Sequence, residues 1–334
     1  MGVKLKSFGH YIPQHKVTNA ELAERFAISE DWILERTGIE ARSYLLEGAT
    51  SDMIVAAALD CLAKTDCTPS DIDCIIVATM TPDYYCPSTA AIVHQKLGTV
   101  NAFGFDIMAA CSGYLYALQL ATALINSKTY KNILICGADK FSSIIDPNDR
   151  KTVLVFADGA GVTLAQYDEN STDVLDVVCK LDSTNAMDIN MQNRGSQSPL
   201  TLMNIAEENH YLRFNSKTIF ENGVTLLQKV IEEIMQKNQL NFEAIDYIVP
   251  HQANRRMIEV LAQRLNLPIE KFIINIEAIG NTSAATIPIA ISEALENGKL
   301  KGNEQLLLAA VGAGFTYAAS VIKLDRMNYE KNNL

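Results

Sequence analysis

The sequence predicts an α/β protein built from two similar halves, and three observations carry that reading. Short β-branched runs, "IDCIIVAT", "KNILICGA", "AIDYIVP" and "EQLLLAAV", alternate with helical stretches such as "SDMIVAAALDCLAK" and "GVTLLQKVIEEIMQK". That alternation points to strands joined by helical crossovers, and hence to largely parallel sheets. The runs are continuously apolar, as expected when helices cover both faces of a sheet. Finally, a helix followed by "DIDCIIVATMTP" (71–82) recurs as a helix followed by "AIDYIVPHQANR" (244–255). The likeness continues through "FDIMAACSG" and "FIINIEAIGNTSA" to the strands "ILICGAD" and "LLLAAVGAG".

The halves are expected at 1–172 and 173–334. No Pro-, Gly- or Ser-rich linker separates them, so they should share an interface rather than move independently. The polar stretch 182–216, "DSTNAMDINMQNRGSQSPL" onward, reads as an inserted cap facing the substrate.

The chain has 334 residues, 48% of them hydrophobic and 20% charged, enough for one large core or two fused ones. No apolar stretch reaches the ~20 residues of a membrane span, and the start "MGVKLKSFGHYIPQ" has no secretory apolar segment, so a cytoplasmic protein is expected. Lys6 breaks the myristoylation pattern. Seven cysteines without a C-x-x-C pair argue against a disulfide framework and a zinc site, and no metal is expected. A net charge of -11 disfavours nucleic-acid binding. G-x-x-x-x-G-K, G-x-S-x-G and H-E-x-x-H are absent, and "GAGF" lacks the third glycine of a dinucleotide fingerprint.

What remains is chemistry at strand-to-helix corners, where α/β folds place their sites. Cys111 precedes a segment in which Leu115, Leu118, Thr122 and Ile125 keep helical spacing, so its thiol should sit at a helix N-terminus that favours the thiolate. Gly113 leaves room beside the sulfur for an acyl group. His251 follows a strand and Pro250, with Asn254 as a cap of the next helix. Asn281 follows a glycine and, by the internal repeat, should occupy a corner near-equivalent to that of Cys111. A thiol, an imidazole and a neutral amide donor together suit acyl transfer through a thioester. Cys61, Cys67, Cys74, Cys136 and Cys179 read as core residues.

At this point the chain resembles the β-ketoacyl-acyl-carrier-protein synthase III family of the thiolase-like condensing enzymes. The resemblance spans essentially the whole chain: "DWILERTGI" (31–39), "AACSG" (109–113), "DRKTVLVFADGAG" (149–161), "PHQANRR" (250–256), "GNTSAATIP" (280–288) and "GAGFTY" (312–317) stand in the family's order. It implies a thiolase-like fold, two duplicated βα halves packed as five alternating α/β layers. It also implies an acyltransferase of fatty-acid biosynthesis: an acyl-CoA starter loads Cys111, and a malonyl group on acyl carrier protein decarboxylates and condenses with it.

By the same resemblance His251 and Asn281 complete a triad with Cys111, and the backbone amides of Cys111 and Ala313 form an oxyanion hole. Trp32, Arg36, Arg150, Phe220 and Asn254 hold coenzyme A, a substrate here, with no resident cofactor implied. Arg256 and Arg255 receive the acidic carrier. The protein is expected to be a homodimer, with Cys86 in "TPDYYCPST" at the acyl tunnel where relatives often carry a bulky aromatic. Two further departures are Ala313, where a glycine is usual, and Glu221, where a lysine is frequent. A degradative thiolase would want a second cysteine in "AAVGAGFTYAAS", and an elongating synthase a histidine at Asn281. The alternative is a specialised relative of secondary metabolism making a quinolone, resorcinol or polyketide starter.

Overall fold

The computed structural model describes residues 2–205 and 210–324. The first large sheet runs in the order Val3–Tyr11, Asp158–Tyr167, Asn132–Lys140, Cys74–Ala78, Phe103–Ile107. The second runs Val174–Leu181, Thr316–Lys323, Gln305–Gly312, Tyr247–Pro250, with a parallel bridge from Ile248 to Phe272 at a fifth strand's place. Strand senses repeat as well: two antiparallel pairings, then parallel ones, in each sheet. Two small ribbons, His15–Thr18 with Ala41–Tyr44 and Ile189–Asn190 with Arg213–Phe214, complete the strands.

The sheets are mixed rather than largely parallel. Parallel pairs arise where a helix crosses over, as between Cys74–Ala78 and Phe103–Ile107. Gln305–Gly312 instead returns through the three residues Ala313–Phe315 into Thr316–Lys323, a connection short enough only for an antiparallel neighbour. Continuous apolar runs such as Cys74–Ala78, buried at every residue, report cover on both faces and not strand direction.

Five layers follow from where the apolar side chains go. Helices Thr50–Ala63 and Thr89–Leu97 lay Met53, Ile54, Ala57 and Val93 on the outer face of the first sheet. Helices Gly113–Asn126 and Thr286–Glu296 lie between the sheets, burying Leu115, Leu118, Ile125, Ile287 and Ile291. Helices Ser216–Lys237 and Arg255–Arg264 cover the second sheet with Leu227, Val230, Ile231, Ile234 and Leu261. Each such side chain contributes roughly 1.5–3 kcal/mol through burial. Among the described residues no helix is long and apolar enough to cross a membrane.

Both central helices begin through a short turn containing a residue with left-handed backbone, Ala110 (φ 48) in one half and Ser283 (φ 56) in the other. Ala110 and Ser283 are thus the matching positions, so Cys111 matches Ala284 rather than Asn281. From the strand partner to the left-handed residue the chain takes six steps in the first half (Gly104 to Ala110) and eleven in the second (Phe272 to Ser283). The extra length holds the short helix Ile276–Ile279, Gly280 and Asn281. Asn281 therefore sits on an insertion peculiar to the second half.

The halves meet at Gly137, where a Cβ would lie 2.4 Å from the carbonyl oxygen of Ala284. Backbone cannot yield there as a side chain could. Gly137→Ala is expected to destabilise the protein by about 3 kcal/mol or more in chemical denaturation. Gly195→Ala, with no atom within 4 Å of the added carbon, serves as the near-neutral control. Equal midpoints for the two variants would refute the assignment of Gly137 to the contact between halves.

Candidate active site

Three separate segments bring their chemistry to one cavity of ≈ 400 Å³, lined by Cys111, His251 and Asn281 among others. Cys111 lies in the turn Ala110–Ser112 that opens the central helix Gly113–Asn126. Ser112 donates its hydroxyl to Thr316 Oγ1 (2.6 Å), which donates to the Ala109 carbonyl (2.8 Å), tying the turn that holds Cys111 to the second sheet. Gly312 is the closest approach: a Cβ there would stand 2.7 Å from the Cys111 backbone nitrogen.

Asn281 is clamped at main chain and side chain alike. Its N–H donates to Val155 C=O (2.9 Å) and its C=O accepts from Ala157 N–H (2.9 Å). Its Oδ1 accepts from Ser283 N–H (2.8 Å), which fixes the amide so that Nδ2 is the end left to donate. The "DRKTVLVFADGAG" segment thus serves as the bracket for Asn281. His251 is fastened by its N–H to Ala309 C=O (2.7 Å), and its ring Nδ1 lies 2.7 Å from Thr286 Oγ1.

Burial dominates the electrostatics. It pushes the Cys111 thiol up to about 12, with the Ser283 hydroxyl 3.4 Å from Sγ pulling the other way and the Asp139 charge adding to the rise. The sequence predicts a thiolate favoured by the helix N-terminus. That end is worth ~0.3–1 kcal/mol, whereas one pKa unit corresponds to ~1.4 kcal/mol, so desolvation wins and Cys111 rests as a thiol. Burial likewise drops His251 to about 3, leaving a neutral imidazole. Asp139, fully buried, is raised to about 6 by desolvation although its Oδ1 accepts from Met80 N–H (2.7 Å) and the Thr79 and Thr81 hydroxyls.

The mouth of the cavity is aromatic and basic. The Arg36 guanidinium carbon lies 4.4 Å, and that of Arg150 5.5 Å, from the centroid of the Trp32 ring. Arg256 stands 6.0 Å from the Phe220 ring. All five of these residues line the cavity, as does Asn254. The Asn254 amide is already in use, its Oδ1 capping Arg256 N–H (2.9 Å) and its Nδ2 donating to Arg36 C=O (2.9 Å), so it also braces the mouth.

Other expected positions fall differently. Arg255 does not line the cavity; its guanidinium pairs with Glu259 (3.0 Å) and Glu277, so its charge is compensated and Arg256 alone of the pair faces the mouth. Ala313 sits one residue beyond Gly312, and Gly312 is the residue pressed against the Cys111 amide. Cys86 is exposed and is not among the residues lining its own chain's cavity.

Sequence reasoning missed the apolar walls, Leu154 and Phe156, although "DRKTVLVFADGAG" contains both, and Met257 and Val311, which come from two other segments. It missed Thr286 too, although "GNTSAATIP" contains it. The polar 182–216 stretch does reach the site, through Ile189 and Phe214 of the small ribbon. Among the described residues, the one grouping with metal-ligand spacing is His10, Asp60 and Glu296, and the Lys64 ammonium already pairs with both carboxylates (2.7 and 2.6 Å).

Residues 235–324 match the family model for the 3-oxoacyl-[acyl-carrier-protein (ACP)] synthase III C terminal, and residues 105–183 that for 3-oxoacyl-[acyl-carrier-protein (ACP)] synthase III. The chain is 40% identical to the β-ketoacyl-[acyl-carrier-protein] synthase III of Koribacter versatilis, covering 96% of this chain and 97% of that one. The family is thereby settled. This chain belongs to the β-ketoacyl-acyl-carrier-protein synthase III family. The Clostridium perfringens synthase III is 41% identical over 96% and 99% of the two chains. The crystal structure of 3-oxoacyl-[acyl-carrier-protein] synthase III from Aquifex aeolicus superposes with a TM-score of 0.89 at 36% identity, covering 96% of this chain and 100% of that one. The five layers are therefore those of the thiolase-like fold, and the protein is a condensing enzyme of the acyltransferase type.

In a synthase III whose half-buried thiol is desolvated in this way, the thiolate fraction grows tenfold per pH unit up to the raised pKa. Alkylation of Cys111 by iodoacetamide is expected to climb with near-unit slope in log rate from pH 7 to 10. A plateau already at pH 7 would show a preformed thiolate and refute the desolvation argument.

Proposed function

We propose that this synthase III starts fatty-acid synthesis by joining an acyl group from coenzyme A to a malonyl group on acyl carrier protein, with Cys111, His251 and Asn281 as catalytic residues. The observation that carries this reading is their convergence, from three distant segments, on one cavity whose mouth bears Trp32 flanked by Arg36 and Arg150. Aromatic stacking suits the adenine end of coenzyme A and guanidinium groups suit its phosphates.

In the first half-reaction the Cys111 sulfur bonds to the thioester carbonyl, the carbon–sulfur bond to coenzyme A breaks, and the thiol proton passes through His251 to the departing sulfur. Because thiol and imidazole are both neutral at rest, proton transfer accompanies attack rather than preceding it. The tetrahedral oxyanion is held by the Cys111 amide and, beyond Gly312, that of Ala313. In the second, malonyl carboxylate leaves as carbon dioxide and its electron pair passes to an enolate held by His251 Nε2–H and Asn281 Nδ2. The enolate carbon attacks the acyl group, Cys111 departs as thiolate, and solvent reprotonates it. Arg256 and Phe220 form the cationic, apolar lip for the carrier's arm, in an otherwise acidic chain.

A homodimer belongs to this reading, and what supports it is the edge strand Phe103–Ile107, whose outer backbone ladder is unpaired within the chain and has the exposed Phe103, Val100 and Met108 beside it. In such a dimer the exposed Cys86 of one subunit can reach the acyl tunnel of the other, and its small side chain suits longer or branched starters.

Intact-protein mass spectrometry with a panel of acyl-CoAs tests the scheme. Cys111 should take one acyl group and release it on addition of malonyl-carrier protein, and Cys111→Ala should take none. Asn281→Ala should still acylate while condensation falls ~10²–10³-fold. Acylation elsewhere, or an acyl-enzyme inert to malonyl-carrier protein, would defeat the reading. Cys86→Phe should slow longer starters selectively, and strict acetyl preference of the parent enzyme would defeat that part. For the lip, Arg256→Ala should raise the KM for malonyl-carrier protein severalfold at low salt, whereas Arg255→Ala should not; the reverse order would reassign the docking charge.

A further inference from the structure

Thr286 plays no part in the scheme above, yet it holds the only hydrogen bond that any described residue makes to the His251 ring. It is buried at the start of the central helix Thr286–Glu296, with its Oγ1 2.7 Å from Nδ1 and 2.9 Å from the carbonyl oxygen of Ser283. Nδ1 is thereby taken, which leaves Nε2 as the ring nitrogen available to the cavity.

The two half-reactions ask opposite things of Nε2. Accepting the thiol proton requires it bare, so the ring proton must sit on Nδ1. Donating to the enolate oxygen requires it protonated, so Nδ1 must be bare. A neutral imidazole has these two tautomers, and the one present is set by the bond the other nitrogen makes.

A hydroxyl is the partner that can serve both. With its hydrogen turned to Ser283 C=O, Thr286 accepts from Nδ1–H. With its hydrogen turned to Nδ1, it donates. The change needs rotation about the Cβ–Oγ1 bond and a balanced proton exchange: water in the cavity gives a proton to Nε2, and the Nδ1 proton departs to water when the Nδ1–Thr286 contact transiently opens. A carboxylate in that place would lock Nδ1–H, and a backbone amide would lock the reverse. Because burial keeps the ring neutral, neither requirement is met by an imidazolium at rest.

We infer that Thr286 is a positioning residue that lets His251 alternate between the Nδ1–H and Nε2–H tautomers, and so act as acceptor in acyl transfer and as donor in decarboxylation. This inference rests on the condensation reading above.

The test separates the two steps. Thr286→Val keeps shape but removes the hydroxyl; a buried Nδ1–H would then be an unpaired donor, so the ring should settle on the Nε2–H tautomer. Acyl transfer to Cys111, followed by mass spectrometry, should slow about 10²-fold, while decarboxylation of malonyl-carrier protein, measured in a Cys111→Ala background, should stay within about threefold. Thr286→Ser should restore acyl transfer. Nitrogen-15 spectra of the imidazole, assigned with His251→Gln, should show the valine variant shifted to Nε2–H, with a single cooperative melting transition as the check on folding. Equal loss in both steps, no loss in either, or a tautomer indifferent to Thr286→Val would overturn the inference. The spectra read the tautomer whether or not any thioester turns over, so failure of wild-type enzyme to condense would count against the functional reading instead.

Discussion

The site depends on one constraint: two central helices, one from each half, must begin at the same place between two sheets. Neither helix start carries a side-chain cap, and each is reached through a left-handed residue, Ala110 or Ser283. Helix starts can come this close only where neighbouring backbone has no side chain in the way. Gly137 admits Ala284, and Gly312 admits the Cys111 amide. Once the two starts are fixed, the rest follows from short links: Ser283 reaches Cys111, Thr286 reaches His251, and Asn281 is bonded to the Ser283 amide.

This geometry explains why burial, and not local dipoles, sets the protonation states. The cavity opens at a basic aromatic mouth but is also walled by the buried Leu154, Phe156, Val311 and Phe315. At that depth a thiolate or an imidazolium lacks water, and the nearby formal charge, Asp139, is itself held toward its neutral form. Charge is thus postponed until substrate arrives to share it.

Much of this could be read from the sequence, and what could not has physical causes. Alternating runs gave the α/β class because burial on two faces leaves an apolar strand, but strand direction is decided by connection length, which apolarity does not encode. The shared cavity position of Cys111, His251 and Asn281 was legible because each sits in a dense local motif. The internal repeat was legible at "DIDCIIVATMTP" and "AIDYIVPHQANR", and misaligned at Asn281 because the extra residues before Ser283 fall within a segment of similar composition. Arg255 looked like a docking charge beside Arg256; only the fold brings Glu277 to neutralise it. Thr286 was invisible because its importance is a distance to a residue 35 positions away.

The sheet registers carry one more implication, and it concerns how the reactive groups are shared between the halves. They match Cys74–Ala78 to Tyr247 onward through their common neighbours, so the counterpart of His251 is Ala78, and the counterpart of Cys111 is Ala284. Both alanines are buried. At each matched corner, one half carries a reactive side chain and the other an alanine. Neither half alone holds both the thiol and the imidazole, so the cavity is complete only where the two halves meet.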